Sequence, residues 1–251
     1  IRRKHTLNKL LGHLAEKQLL PAILFLFSRK QVEICAKEIT AILLEDDSKI
    51  PYIVRKECGD LLRSKLPNFQ EYTTLPEYEF LVSLLEKGIG IHHSGMIPIF
   101  REMVELFISK KYIKLLIATE SFAIGLDCPI KSVLFTHFMK FDGSTERFLQ
   151  SHEYTQMAGR AGRRGIDTVG YVIHCNNLFA TPSVVDYKKL LCGKPERFVS
   201  KLELDGAVCL QQMAGKGDTP VFEEELVDFL RGSMMNVDCL AQQAAQKELL
   251  G

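Results

Sequence analysis

The sequence predicts an α/β fold built on a doubly wound, mostly parallel sheet. Two observations carry this. Five short apolar runs bounded by turn or polar residues read as buried parallel strands: Ala22 to Phe27 (AILFLF), Gly88 to His92 (GIGIH), Lys114 to Thr119 (KLLIAT), Ser132 to Thr136 (SVLFT) and Gly170 to Cys175 (GYVIHC). Helical patterns fall between most of them, and strands alternating with helices bury both faces of a parallel sheet.

In order along the chain, Gln31 to Leu44 carries Val32, Ala36, Ile39 and Leu43 at helical spacing, and Ile97 to Ile108 carries Phe100, Met103, Val104 and Phe107. The stretch 45–78 breaks the rhythm with Pro51, Gly59, Pro67 and Pro76, and is expected to be an irregular insertion with one short helix. After Cys175 the strand signal fades; a linker with helices follows, then a helical tail from about Val221. The expected division is one α/β domain over 1–199 and a helical extension over 200–251.

With 46% hydrophobic and 25% charged residues in 251, the composition is globular. The formal charge is +1, from 32 basic against 31 acidic residues, so nucleic acid or membrane is not coated by bulk electrostatics and any contact must be local. Seven cysteines form no CxxC pair and their number is odd, which speaks against zinc knuckles and a disulfide framework and for a reducing, intracellular compartment, cytoplasm or nucleus. No apolar run is long enough to span a bilayer, no membrane partner is expected, and the start, IRRKHTLNKL, reads as that of a piece of something longer.

Four segments are candidates for chemistry. In QMAGRAGRRG, Gln156 to Gly165, the residues Gln156, Arg160 and Arg163 share one stripe if the segment is helical. Gly159, Gly162 and Gly165 are poor helix formers, and their spacing implies close approach of another backbone or a ligand. Guanidinium groups match phosphate oxygens and stabilise charge on a transferred phosphoryl group; a solvated basic helix end is the plainer alternative.

The second is LLIATESFAIGLDCP, 115–129, where Thr119 and Ser121 suit a nucleic-acid phosphate and Asp127 a ribose hydroxyl, although Thr and Asp there serve equally as caps and turn formers. The third is IHHSGMIP, 91–98. Adjacent His92 and His93 point to opposite sides of an extended chain, so no metal is expected, while Ser94 and Gly95 can open a helix whose N–H groups suit an RNA phosphate. The fourth is FLFSRK, 25–30, whose Ser28, Arg29 and Lys30 suit either a phosphate backbone or an ordinary helix start.

Taken in chain order, FLFSRK, IHHSGMIP, LLIATESFAIGLDCP and the arginine segment, the last extended to EYTQMAGRAGRRG at Glu153 to Gly165, with KFDG at Lys140 to Gly143 before it and GYVIHC behind it, resemble motifs IV, IVa, V and VI of the second RecA-like domain of superfamily-two helicases, specifically the superkiller-type, exosome-associated DExH-box RNA helicases. The resemblance is dense from about Pro21 to Cys192. Asp127 and Cys128 stand where many members carry Asn and Met.

The resemblance implies that Arg160 and Arg163 reach the γ-phosphate of ATP, that Gln156 couples this contact to hydrolysis, and that Gly125 and Asp127 lie near the nucleotide. It implies that Ser28 with Arg29, His93 with Ser94 and Gly95, and Thr119 with Glu120 track an RNA backbone, single-stranded or in a duplex with a 3′ overhang. ATP with Mg2+ would be held mainly by a first RecA-like domain, and an RNA-decay or RNA-processing complex is the implied setting. The tail resembles the passage into a winged-helix domain. The sequence has no G-x-x-x-x-G-K-[ST] run and no DExH segment, so the piece is expected to be inactive alone. Two rivals stay open: a DNA helicase of the same superfamily, and an inert RecA-like scaffold module.

Overall fold

The computed structural model describes residues 3–44, 49–123, 130–141, 143–163, 165–175 and 182–193, with only 228, 231–232 and 240 beyond them. The chain divides into two compact units, Ile1–Lys194 and Pro195–Gly251, and the expected helical extension falls almost wholly outside the described residues. No helix among those residues is long and apolar enough to cross a membrane.

The first unit holds a five-stranded sheet, with every neighbouring pair parallel: β1 (Ala22–Phe25), β2 (Ile89–His92), β3 (Leu115–Ala118), β4 (Ser132–Phe135) and β7 (Tyr171–His174), in the order β2-β3-β1-β4-β7. All five runs expected to be strands are strands. The first four are buried throughout, as parallel strands covered on both faces must be. The fifth corrects its expected burial: among the described residues β7 pairs only with β4, and Tyr171 and Val172 on that edge are 41% and 39% exposed. A separate antiparallel hairpin joins β5 (Met139–Phe141) to β6 (Glu146–Phe148).

Helices pack on the sheet through single apolar stripes. The helix α1 (Arg3–Glu16) buries Leu7, Leu11 and Leu14, and α6 (Pro98–Ser109) buries Phe100, Met103, Val104 and Phe107. The helix α2 (Arg29–Glu38) buries Val32, Cys35 and Ala36, and stops six residues short of the expected end at Leu44. Ile39 is extended there because the Asn8 side chain of α1 accepts the N–H groups of Thr40 and Ala41, at 2.9 and 3.1 Å, which a continuing helix would not offer.

The expected irregular insertion is corrected most strongly. Its described residues are largely helical: α3 (Ile50–Lys65), α4 (Phe69–Thr73) and the start of α5 (Pro76–Leu85). Pro51 and Pro76 lie in the first turns of α3 and α5, where a missing N–H costs nothing, and Val54, Cys58 and Leu62 make a fully buried stripe.

Candidate functional site

The register sets Phe25, Ala118 and His92 level on adjacent strands, so Leu26, Thr119 and His93 leave the sheet side by side at its carboxyl edge. Seven of the expected site residues stand here or within three positions of these exits: Ser28, Arg29, His93, Ser94, Gly95, Thr119 and Glu120. Ser28 is the N-cap of α2 and makes no side-chain cap hydrogen bond, and Arg29 opens the helix. The Arg29 side chain lies along the neighbouring turn, since a β-carbon on Gly95 would sit 3.1 Å from Arg29 Cδ and 3.2 Å from His93 Nδ1.

The helix expected to open at Ser94 opens instead at Pro98. Two of the N–H groups in between are already used, Gly95 donating to His93 Nδ1 at 3.2 Å and Met96 to the His93 carbonyl at 3.1 Å. His92 and His93 do face opposite ways. His92 donates or accepts through Nε2 with Glu105 at 3.0 Å and meets the edge of Phe122, whereas buried His93 has Nε2 3.5 Å from Glu33 on α2, too long for a good hydrogen bond. Burial lowers the pKa of both rings, so both are neutral bases near pH 7.

Thr119 is buried, with its hydroxyl 2.9 Å from that of Ser121, and a short 3-10 turn, Glu120–Ala123, follows directly. Glu120 does not stand alone at the edge. Lys140 of β5 lies 3.7 Å from its carboxylate and 2.8 Å from that of Glu153, in the first turn of α7 (Ser151–Ala158). Arg147 of β6 adds a two-pronged contact to Glu153 at 2.9 Å on each arm, and the Gln150 N–H donates to it at 2.9 Å. Burial pushes the Glu153 carboxyl up, but the Arg147, Lys140 and Gln150 bonds outweigh it and hold the group at about 2. Sequence reasoning missed this network, and only the reciprocal Gln150 and Glu153 spacing of a helix start hinted at it.

The arginine segment departs from the single stripe. α7 ends at Ala158 with Gly159 as its cap, so Gln156 is helical while Arg160 and Arg163 follow in turns. Arg160 donates through Nε and Nη2 to the Ala123 carbonyl at the end of the 3-10 turn, the Nε bond being 2.9 Å. Arg163 pairs with Asp167 at 2.6 and 2.7 Å, and its own N–H donates to the same carboxylate at 3.0 Å. The Asp167 carboxyl is held at about 2, first by the Arg163 side chain.

Arg163 also lines a cavity of about 110 Å³ with Pro21, Ala22, Lys111 and Lys114, at the amino edge of the sheet and so opposite His93 and Thr119. The close backbone approach expected of the glycines exists at Gly162 (φ 94°), where a β-carbon would meet Gly170 Cα at 3.2 Å. Gly159 meets only its own helix, and Gly165 meets nothing within 4 Å but has φ 74°. Gly125 and Asp127 lie outside the described residues.

No family model matches the chain. Individual proteins do. The chain is 38% identical over 205 residues to the antiviral helicase SKI2 of Saccharomyces cerevisiae, which covers 80% of this chain and 15% of that protein. It is 36% identical over 203 residues to the ATP-dependent RNA helicase mtr4 of Schizosaccharomyces pombe, 80% of this chain and 18% of the relative. It is 38% identical over 198 residues to the human exosome RNA helicase MTR4, 78% and 18% respectively. The chain is homologous to one stretch of the superkiller-type helicases of superfamily two. It spans 15–18% of the length of these curated relatives, so it corresponds to one stretch of such a helicase, and its parallel sheet with helices is that of a RecA-like domain.

Proposed function

We propose that this chain is the second RecA-like domain of an ATP-dependent RNA helicase. Arg160 and Arg163 act as arginine fingers on ATP whose phosphates and Mg2+ are held chiefly by a first RecA-like domain; Gln156 couples that contact to hydrolysis, and Gly125 and Asp127 border the nucleotide. Ser28, Arg29, His93, Ser94, Gly95 and Thr119 follow the RNA sugar–phosphate backbone, a mode of contact that does not read bases. The observation that carries this reading is the identity of 36–38% over 78–80% of the chain to proteins named as helicases, two of them as RNA helicases.

Two features support the assignment of roles. A guanidinium has five N–H donors, and Asp167 engages two of the Arg163 nitrogens, leaving a preoriented fork with capacity for phosphate oxygens. The sequence has no G-x-x-x-x-G-K-[ST] run, which supports the reading that another domain cradles the phosphates. The relative named for the exosome supports work within an RNA-decay or RNA-processing complex, and seven cysteines without a CxxC pair support a reducing compartment.

The test is ATP turnover with and without single-stranded RNA, by the full-length polypeptide and by this domain alone. The full-length protein turns over ATP faster with RNA and unwinds RNA duplexes with 3′ overhangs in preference to DNA ones, and the domain alone is inactive. RNA-stimulated turnover by the isolated domain, or preference for DNA, would contradict the proposal.

A further inference from the structure

The KFDG segment, Lys140 to Gly143, begins on the β5–β6 hairpin and touches neither ATP nor RNA in the proposed function. We propose that Lys140 is a positioning residue that ties the RNA-facing segment Thr119–Glu120 to α7, the helix bearing Gln156, so that RNA at the carboxyl edge is felt at the arginine cluster. The inference rests on the functional reading above.

The geometry is specific. The Lys140 side chain is 14% exposed and lies between two carboxylates, Glu153 at 2.8 Å and Glu120 at 3.7 Å. Glu153 does not depend on it alone, since Arg147 and the Gln150 N–H also fasten the start of α7 to the hairpin. What Lys140 adds is reach to the 3-10 turn. Both ends of that turn face groups fastened to α7 or just beyond its end: Glu120 faces the Lys140 ammonium as an ion pair at 3.7 Å, and the Ala123 carbonyl accepts hydrogen bonds from Arg160. A displacement of Glu120 is therefore passed to α7 at one end and to Arg160 at the other.

Charge points the same way. A bare carboxylate next to the RNA track would repel phosphate, so Glu120 is a poor RNA ligand by itself. Neutralised by Lys140 it becomes tolerable there, and a phosphate arriving at Thr119 repels the Glu120 carboxylate and presses it toward the ammonium group. That push shifts the Glu120–Lys140 pair between an RNA-free and an RNA-bound arrangement, which is the two-state element that coupling between two sites requires.

The experiment uses the full-length polypeptide with single-stranded oligouridine, reading ATP turnover and RNA affinity separately for Lys140→Met, Lys140→Arg, Glu120→Gln and the double variant Lys140→Met with Glu120→Gln. Lys140→Met is expected to lower the RNA-stimulated kcat about tenfold while the Kd for RNA stays within about threefold, Glu120→Gln to do the same, and the double variant to lose no more than about tenfold. Lys140→Arg restores most of the turnover. Glu120→Gln leaves the Glu153 cluster intact, so the test survives a folding defect in Lys140→Met. Unchanged turnover in both single variants, an additive loss of about a hundredfold in the double variant, failure of arginine to rescue, or loss of RNA affinity in step with turnover would each overturn the proposal. A parent protein without RNA stimulation would overturn the functional reading and this inference together, whereas a stimulated parent with indifferent variants overturns this inference alone.

Discussion

Arg163 and Asp167 clasp each other through two hydrogen bonds of 2.6 and 2.7 Å, four residues apart in a turn rather than in a helix. With the Arg163 N–H on the same carboxylate, this clasp fixes the direction of a guanidinium before any ligand arrives. Such preorganisation is what a phosphate-facing arginine needs, because holding the fork in place beforehand lowers the entropy lost on contact.

The turn that carries the clasp depends on two glycines. A β-carbon on Gly170 would lie 2.4 Å from the Ala161 carbonyl oxygen, and Gly162 combines a 3.2 Å approach to Gly170 with φ 94°. Gly170→Ala is expected to destabilise the domain by about 1–3 kcal/mol, and Gly162→Ala by a similar amount or more. Gly59→Ala, in the middle of α3 with nothing within 4 Å, should stabilise by about 0.5–1 kcal/mol. Thermal unfolding followed by circular dichroism checks all three, and equal melting temperatures for the three variants would refute the packing argument.

The Glu153 cluster makes a prediction about acid. A carboxyl held at about 2 in the fold, below its ordinary unfolded value, contributes stability that is fully present above about pH 4.5 and lost as pH falls toward 2. The contribution is on the order of 3 kcal/mol at neutral pH. Unfolding of the parent and of Glu153→Gln should therefore differ most at pH 7 and converge near pH 2, whereas a pH-independent gap would contradict the assignment.

His137 behaves in the opposite chemical sense with the same acid sensitivity. Burial lowers its pKa to about 4, where it packs edge-on against Phe27 and shares a 2.9 Å hydrogen bond with Thr136. A ring kept neutral in the fold favours the unfolded chain as pH drops from about 6.5, and the loss levels off below about 4. Proton NMR of the ring should give a midpoint near pH 4; a midpoint near 6.5 would show that the ring is solvated.

The strands were legible because a parallel strand buried on both faces leaves an unbroken apolar run, as in Ile23, Leu24 and Phe25. The insertion reads as irregular from its prolines, yet Pro51 and Pro76 start helices here, and the stripe of Val54, Cys58 and Leu62 is the better signal. The carboxyl-edge residues were legible as motifs at strand exits. The end of α7 was not, because a helical stripe through Gln156, Arg160 and Arg163 looked self-consistent until Gly159 and Gly162 turned the chain. Nor was the link from Lys140 to Glu120 and Glu153, which needs a hairpin folded against two other segments; no local periodicity encodes it.

The central claim, that an arginine of this domain acts on ATP held by another, is tested most directly by comparing Arg163→Ala with Asp167→Ala in the full-length polypeptide. If Arg163 meets the γ-phosphate, Arg163→Ala lowers ATP turnover by about a thousandfold or more while RNA binding persists, and Asp167→Ala, which only unclasps the guanidinium, costs much less. Turnover unchanged in Arg163→Ala, or lost equally in both variants, would mean that Arg163 serves the turn and not the nucleotide.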